Sequence, residues 1–313
     1  MKLTIKVEVE KSLSIITINY NGLKDTSELM ETLPLEDKSI EVIVVDNAST
    51  QDEATIIEQR FPQVTVIRSH KNLGFAGGNN LGIQAAHGKY LFFINNDTLF
   101  RGVGHSLTSY LLPLTSLLDS SDNIGMVSPK IRFSWGTNPI QYAGYTPLSK
   151  ITLRNTAIGC GEEDHGQYNT AHSTPYAHGA AMMVKREVID KVGLMPECFF
   201  LYYEELDWSV MIRRAGYDIW YEPACTVYHK ESQATGQSSP LKSYYMTRNR
   251  LLFAKRNIST PQRYLTYCYL IGIVALRDIL KFLLSHRPDL AKATLKGLRD
   301  FFALTSNPSP LTS

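Results

Sequence analysis

Two short apolar runs, each closing on an Asn/Asp cluster, decide how this chain reads. The first is Glu41-Val-Ile-Val-Val-Asp46-Asn47-Ala-Ser49-Thr50, and the second is Lys89-Tyr-Leu-Phe-Phe-Ile-Asn95-Asn96-Asp97. Between them lies Asn72-Leu-Gly74-Phe-Ala-Gly-Gly-Asn79-Asn80. Short runs of β-branched and aromatic residues bounded by turn formers read as buried strands. Carboxylates at the carboxyl ends of such strands stand where an open α/β sheet forms its ligand crevice.

Working outward, Leu13–Asn19, Ile40–Val45, Val64–Arg68 and Tyr90–Ile94 read as four strands. A short helix is expected over Thr26–Thr32. Thr50-Gln-Asp-Glu53 matches a capping box and predicts a helix to about Arg60, stopped by Phe61-Pro62. A further helix is expected from Asn79 to His87, with Gly88 at its C′ position. Strands alternating with helices predict a mostly parallel sheet flanked by helices. Farther on, Met126–Phe133, Gln141–Gly144, Ala180–Val184, Asp218–Tyr221 and Cys225–Tyr228 read as strands, and Ile151–Thr174 as loop. Arg186–Val192 and Glu204–Ala215 read as helices. From Leu241 the chain turns helical and basic.

The chain has 313 residues, 43% of them hydrophobic, and a formal net charge of +2. That balance gives no reason to invoke nucleic acid. Cys160, Cys198, Cys225 and Cys268 form no CxxC pair, so neither a zinc site nor a disulfide framework is expected, and reduced cytoplasmic thiols are the simple reading. The charged start Met1–Lys11 lacks the apolar core of a signal peptide. The apolar part of Tyr264–Leu284 runs about 13 residues before Arg277 and Asp278, short of the roughly 20 that span a bilayer. The tail 307–313 is expected to fray.

Each polar cluster admits two readings. Asp46, Asn47 and Ser49 suit contacts to a ribose or base, or equally a turn and N-cap. The Gly-rich stretch Asn72–Asn79 fits a phosphate cradle before a helix, or a plain loop with an Asn cap. Asn95-Asn96-Asp97 offers one carboxylate for a divalent cation whose shell phosphates and water would complete, or a turn. Glu204, Glu205 and Asp207 behind an aromatic run suit a general base of raised pKa, or simply complement a helix dipole. His229, at a strand end, is either a further metal ligand or a surface or internally satisfied residue. Tyr244, Tyr245, Arg248 and Arg250 either meet phosphate oxygens or form a solvated helix face.

Together these pieces resemble the family 2 glycosyltransferases of GT-A fold, and more narrowly their bacterial rhamnosyltransferase-like branch. The resemblance rests on Ile-Ile-Thr-Ile-Asn-Tyr20-Asn21, Val-Val-Asp46-Asn-Ala-Ser49, Asn72-Leu-Gly74-Phe-Ala-Gly-Gly-Asn79, Asn95-Asn96-Asp97, His178-Gly-Ala-Ala-Met-Met-Val, Tyr-Glu204-Glu205-Leu-Asp207-Trp and Tyr228-His229-Lys. It covers about Ser12 to Lys255. It implies a GT-A (Rossmann-like) mixed, mostly parallel α/β sheet over residues 1–258, with a helical extension over 259–313. It implies a dTDP- or UDP-sugar donor, with Mg²⁺ or Mn²⁺, and an inverting transfer in cell-envelope polysaccharide synthesis. Asp46 takes the family's nucleotide-binding position, with Tyr20 and Asn21 in the same pocket. Asn95-Asn96-Asp97 stands in place of the family's Asp-x-Asp, which makes Asp97 the metal ligand and calls for a second, His229. Glu204-Glu205 matches a position usually read Glu-Asp, so Glu205 becomes the base, with Glu204 and Asp207 as rivals. His178 and Gly179 border the acceptor site by the same resemblance.

In Tyr264–Leu304 apolar runs alternate with Arg263, Arg277, Lys281, Arg287, Lys292, Lys296 and Arg299. Such helices suit an anionic membrane surface or a second subunit. The implied partners are thus a nucleotide sugar, a saccharide or lipid-linked acceptor, and either a membrane surface on the cytoplasmic side or a second copy in a homodimer.

Overall fold

The computed structural model describes residues 12–102, 107–231 and 239–306. The charged N-terminal segment, Thr235-Gly236 and the tail 307–313 lie outside them.

The four expected strands are present as β1 (Leu13–Asn19), β2 (Ile40–Asp46), β3 (Thr65–Arg68) and β4 (Tyr90–Ile94). They alternate with α1 (Leu23–Thr32), α2 (Glu53–Arg60) and α3 (Gly74–Ala85). Next come β5 (Thr98–Leu99), α4 (Leu107–Asp119), β6 (Ile124–Phe133), β7 (Ile140–Tyr142), β8 (His172–Ser173) and β9 (Ala181–Lys185). The chain continues through α5 (Arg186–Val192), α6 (Glu204–Arg214), β10 (Asp218–His229), α7 (Pro240–Asn257), α8 (Thr260–Tyr269), α9 (Leu276–Leu284) and α10 (Pro288–Ser306). A π-helical segment, Leu270–Ala275, joins α8 to α9.

All strands lie in one mixed sheet of order β3-β2-β1-β4-β9-β6-β10-β5, with β7 beside β6 and β8 beside β10. β2 and β4 flank β1 in parallel, so the chain leaves β1 to one side and returns on the other. That reversal opens a crevice beyond the carboxyl ends of β1 and β4. Strand alternation sorts the core. Ile15, Val42, Val44 and Phe92 pack with Leu29 and Met30 of α1 and Leu111 and Leu114 of α4. Ile16, Ile43, Val45 and Phe93 pack with Ala76 and Ile83 of α3 and Trp208 of α6 on the other face.

The structure corrects several local expectations. α3 starts at Gly74, so its glycines lie inside the helix and not before it. A Cβ on Gly82 would meet Ile16 Cγ2 at 2.4 Å, and one on Gly78 would meet Ile18 Cδ1 at 2.8 Å. These glycines let α3 lie against β1. α3 ends at Ala85 with Ala86 as its C-cap, so Gly88 is no helix terminus; a Cβ there would meet the Ser14 nitrogen at 2.6 Å. Asp52, not Thr50, caps α2 by accepting from the Thr55 amide at 3.2 Å. The two strands expected over Asp218–Tyr228 are one, β10, whose pairing to β6 slips between Glu222 and Thr226. Pro223 sits in that slip, where it has no N–H to offer a ladder. α4 carries Pro113 inside it, which hid it from a pattern reading.

The C-terminal helices pack on α7 and share one apolar cluster with it. Leu251, Leu252 and Phe253 meet Leu270, Val274 and Phe301 there, together with Phe199 and Tyr203 just before α6. α9 leaves Leu276, Leu280, Leu283 and Leu284 exposed. Among the described residues no helix is long and apolar enough to cross a membrane.

Candidate active site

At the crevice, the end of β1 is tied to the end of β2. Asn19 Nδ2 donates to Asp46 Oδ1 at 2.8 Å and to Glu53 Oε2 at 2.8 Å. Ser49 donates to Asp46 Oδ1 at 2.6 Å. Thr26 donates to Asn19 Oδ1 at 2.6 Å and accepts from Asn96 Nδ2 at 3.0 Å, which ties in the end of β4. Asn21, at φ 51°, accepts from the Thr50 amide through its side-chain Oδ1 at 2.8 Å. Tyr20 stands 48% exposed at the mouth.

Several expected donor contacts are engaged within the chain. Asn47 accepts from the Leu73 amide at 2.9 Å and donates to Asn72 Oδ1 and the Gly74 carbonyl. Asn72 also accepts from the Gly74 amide. Asn79 donates to the Phe75 carbonyl one turn back in α3, and is buried. Gly74, at φ +72°, packs on the Phe200 carbonyl, which also accepts from the Phe75 amide. The polar groups of the glycine-rich stretch are thus engaged by the chain itself. Asn47, Asn72, Gly74 and Asn79 shape the crevice wall from behind. Arg248 is engaged in the same way. It donates to the Cys198 and Phe199 carbonyls and to Asn249 Oδ1, with its guanidinium 4.8 Å from the Tyr245 ring centre. It anchors the loop before α6 and does not sit on a solvated face.

The end of β4 meets the end of β10. β5 pairs antiparallel with β10, Thr98 opposite His229, so Asp97 comes to rest beside the imidazole. Asp97 Oδ1 lies 3.1 Å from His229 Nε2, both residues buried. Asn95 Nδ2 lies 3.5 Å from the same nitrogen, and Gln141 Oε1 lies 2.8 Å from His229 Nδ1. With Nδ1–H donated to Gln141, a neutral imidazole turns its Nε2 lone pair toward a carboxylate. Two acceptors so placed need a proton or a cation between them. Among the described residues no group of three or more His, Cys, Asp or Glu forms a complete metal cage. A pair of donors still suits a hard divalent cation that takes its other oxygens from a diphosphate and water.

Contacts lead from this pair to the acidic cluster. The His178 ring lies 6.3 Å from that of His229 and stacks on Tyr145. Burial, and then His229, pushes the His178 pKa down to about 3. Gly179, the next residue, packs against Glu205, whose Cγ is 3.5 Å from where a Cβ would stand. Glu205 lines a pocket of about 390 Å³ with Tyr202, Tyr203 and Leu206. Its carboxyl pKa is raised by loss of solvent. Glu204 is buried, and its Oε2 has no hydrogen-bond partner. Burial and then the Glu205 charge raise its pKa well above the usual carboxylate range. Asp207 is a different case. Arg256 grips it at 3.0 Å and Asn257 donates to it as well, so this carboxylate is a buried brace between α6 and α7. Its oxygens are thereby directed to α7 and away from the pocket that Glu205 lines. Phe200, Tyr202 and Tyr203 all have positive φ, and Asn249 donates to the carbonyls of Phe199, Leu201 and Tyr202. Strain held by such a clamp marks a functional loop.

Gln141, Tyr145, Thr26 and Asn249 escaped the sequence reading. Gln141 sits on an expected strand, and its alternation with buried Ile140 and Tyr142 gave no sign that it would reach His229.

Residues 14–103 match the family model described as Glycosyl transferase family 2. The match places residues 14–103 in glycosyltransferase family 2. It is 27% identical over 242 residues to the low-salt glycan biosynthesis hexosyltransferase Agl10 of Haloferax volcanii, covering 77% of this chain and 74% of that protein. It is 22% identical over 249 residues to the N-acetylglucosaminyl-diphospho-decaprenol L-rhamnosyltransferase of Mycobacterium tuberculosis, covering 72% and 78%. Among solved structures, the mannosyltransferase PcManGT of Pyrobaculum calidifontis, in complex with GDP-Man and Mn²⁺, superposes with a TM-score of 0.54 at 16% identity, covering 94% of this glycosyltransferase and 78% of that chain. TarS 1-349 of S. aureus, in complex with UDP-GlcNAc, gives 0.52 at 14% identity, covering 92% of each. The fold is that of the GT-A glycosyltransferases.

Proposed function

We propose that this glycosyltransferase is inverting and metal-dependent. In this reading it moves a sugar from a nucleotide-sugar donor to a hydroxyl of a saccharide or lipid-linked saccharide, in cell-envelope polysaccharide synthesis at the cytoplasmic side. The observation that carries the reading is the run of contacts from Asp97 through His229, His178 and Gly179 to Glu205. It links a cation-ready pair to a carboxyl of raised pKa. The expected catalytic domain, residues 1–258, contains all five.

Asp97 and His229 would hold Mg²⁺ or Mn²⁺, which when bound neutralises the departing nucleoside diphosphate. Asp46 stays near the nucleoside at the end of β2, with Tyr20 free to cover it. Glu205 takes the proton from the acceptor hydroxyl as that oxygen attacks the anomeric carbon. A raised pKa makes it a better base near neutrality than an ordinary carboxylate. No second carboxylic acid is needed, because a diphosphate leaves without protonation. Glu204 has no solvent contact through which to exchange the proton, which favours Glu205 over it.

The donors named in complexes of the structural neighbours, GDP-Man and UDP-GlcNAc with Mn²⁺ in the first, support a nucleoside diphosphate and a divalent cation. The mycobacterial relative favours dTDP-rhamnose as the leading donor. UDP-galactofuranose, UDP-glucose and UDP-GlcNAc are the alternatives, and a catalytically silent nucleotide-sugar-binding or scaffold protein is the rival from another class. A panel of nucleotide sugars with Mn²⁺, read as donor hydrolysis and transfer, tests this. Turnover of dTDP-rhamnose above the UDP-sugars supports the leading donor. Tight nucleotide binding without turnover of any donor would sink the enzyme reading. The exposed leucines of α9 support contact with a membrane surface or a second copy, to be separated by vesicle flotation and by mass in solution.

A further inference from the structure

We infer that Tyr145 and His178 form the subsite for the transferred sugar, each donating a hydrogen bond to one of its oxygens. The inference rests on the glycosyltransferase reading above and names two specificity-determining residues of that same site.

The two histidines of the site hold opposite tautomers. His229 Nδ1 faces Gln141 Oε1 at 2.8 Å, which leaves Nε2 as an acceptor beside Asp97. His178 Nδ1 instead accepts from the Ala180 backbone amide at 3.1 Å. A backbone amide only donates, so the proton of His178 sits on Nε2. His178 therefore has no lone pair there for a cation, although its ring stands 6.3 Å from that of His229. It offers a neutral N–H, for which no acceptor is found among the described residues. Tyr145 lies parallel to it, the ring planes 5° apart, and the Tyr145 hydroxyl likewise has no hydrogen-bond partner among the described residues. Both side chains are half-buried, so part of each stays open to a ligand.

The two rings are held in place before any ligand arrives. The His178 amide donates to Ser128 Oγ at 3.0 Å, the Tyr145 amide donates to Thr174 Oγ1 at 2.9 Å, and the Tyr142 ring meets both rings edge-on. Donors so fixed lose little freedom on binding. Their position selects the ligand. On one side stands His229 of the cation-ready pair, and on the other Gly179 packs against Glu205. Loss of solvent, and then the Glu205 charge, keep the proton on the Tyr145 hydroxyl. The diphosphate belongs with the cation and the attacking hydroxyl with the base. In-line displacement sets the anomeric carbon between those two oxygens, so side chains between cation and base run along the transferred sugar. The pocket that Glu205 lines with Arg154 and Arg250 includes neither Tyr145 nor His178, which sets the pair apart from it. Neutral donors also suit hydroxyl oxygens, whereas phosphate oxygens draw charged ones.

The test is calorimetry on the full-length protein with Mn²⁺ and no acceptor. It compares dTDP-rhamnose with dTDP, and UDP-galactofuranose, UDP-glucose and UDP-GlcNAc with UDP. The readout is the Kd of the sugar nucleotide that the wild-type protein binds tightest, divided by the Kd of its own nucleotide. Tyr145→Phe removes one oxygen and keeps the stacked ring. It is expected to raise that ratio by about three- to ten-fold, the worth of a neutral hydrogen bond, with dTDP, UDP and Mn²⁺ affinities unchanged. His178→Phe is expected to do the same. Tyr145→Phe carries the test if His178→Phe, which also leaves the Ala180 amide unpaired, fails to fold. An unchanged ratio in Tyr145→Phe would overturn the inference, and a raised acceptor KM beside it would move the pair to the acceptor side. Equal losses for nucleotide and sugar nucleotide would place the donors on the diphosphate and overturn it too, as would weakened Mn²⁺ in His178→Phe. Absence of dTDP and UDP binding would instead bring down the glycosyltransferase reading, and this inference with it.

Discussion

Asp97 Oδ1 stands 3.1 Å from His229 Nε2, although the two residues lie far apart in the sequence. The antiparallel register of Thr98 against His229 makes the meeting, and the Lys230 amide donates to the Asp97 carbonyl at 2.9 Å to secure it. Gln141 Oε1, 2.8 Å from Nδ1, sets which imidazole nitrogen faces the carboxylate. Partners of this outer kind are worth about 10–100-fold in metal affinity. Gln141→Ala is therefore expected to weaken Mn²⁺ by that factor, read as the Mn²⁺ concentration that half-saturates nucleotide binding. Asp97→Ala and treatment with EDTA should both remove the metal dependence of nucleotide binding altogether. A Gln141→Ala protein with unchanged Mn²⁺ affinity would detach Gln141 from the site.

Glu205 is expected to govern the acid side of the pH profile. Loss of solvent raises its pKa above the ordinary carboxylate value of 4.5. A base must be ionised, so kcat/KM should rise with pH through that raised value and then level off. Glu205→Gln should cut kcat by about 10²–10⁴-fold, leave nucleotide binding intact and flatten the acid limb. An acid limb still present in Glu205→Gln would move the base elsewhere.

Much of this was legible before folding was considered. The strand ends Asp46 and Asp97 are visible because apolar β-branched runs stop abruptly at polar residues, a local signal. Glu205 and His229 are visible through resemblance in motif order. The internal partners of Asn47, Asn79 and Arg248 were not legible for one reason. A polar residue beside a glycine or an aromatic run looks the same in sequence whether it serves a ligand or its own backbone. Only the Phe200 carbonyl over Gly74, from far along the chain, reveals that the glycine-rich stretch is already filled. Gln141 and Tyr145 were illegible because their partners come from other strands.

Asp207 is expected to matter for stability and not for the chemical step. It is buried against Arg256 and Asn257. Removing one partner of a buried pair leaves an uncompensated charge and costs about 3–5 kcal/mol. Arg256→Ala should therefore lower Tm by many degrees while the folded fraction keeps its KM for donor and its pH profile. A shifted acid limb in Arg256→Ala would return Asp207 to the catalytic set.

Glu204 gives the opposite sign. Burial raises its pKa well above 4.5, so over the window between that value and its folded pKa the native chain keeps a proton that the unfolded chain has released. More protons bound in the folded state means that stability falls as pH rises. The favourable contribution is fully present below pH 4.5 and is lost as pH climbs through the folded value. Glu204→Gln keeps the size and neutrality of the protonated form without that titration. It is expected to leave stability at pH 4 nearly unchanged and to raise it by about 1–3 kcal/mol once the wild-type carboxyl would ionise. Thermal melts of both proteins from pH 4 to pH 9 read this directly. Because Glu205 and not Glu204 lines the 390 Å³ pocket, the same variant should retain transfer activity. Destabilisation at high pH, or activity lost as in Glu205→Gln, would show that the ionised form of Glu204 is the one the fold requires.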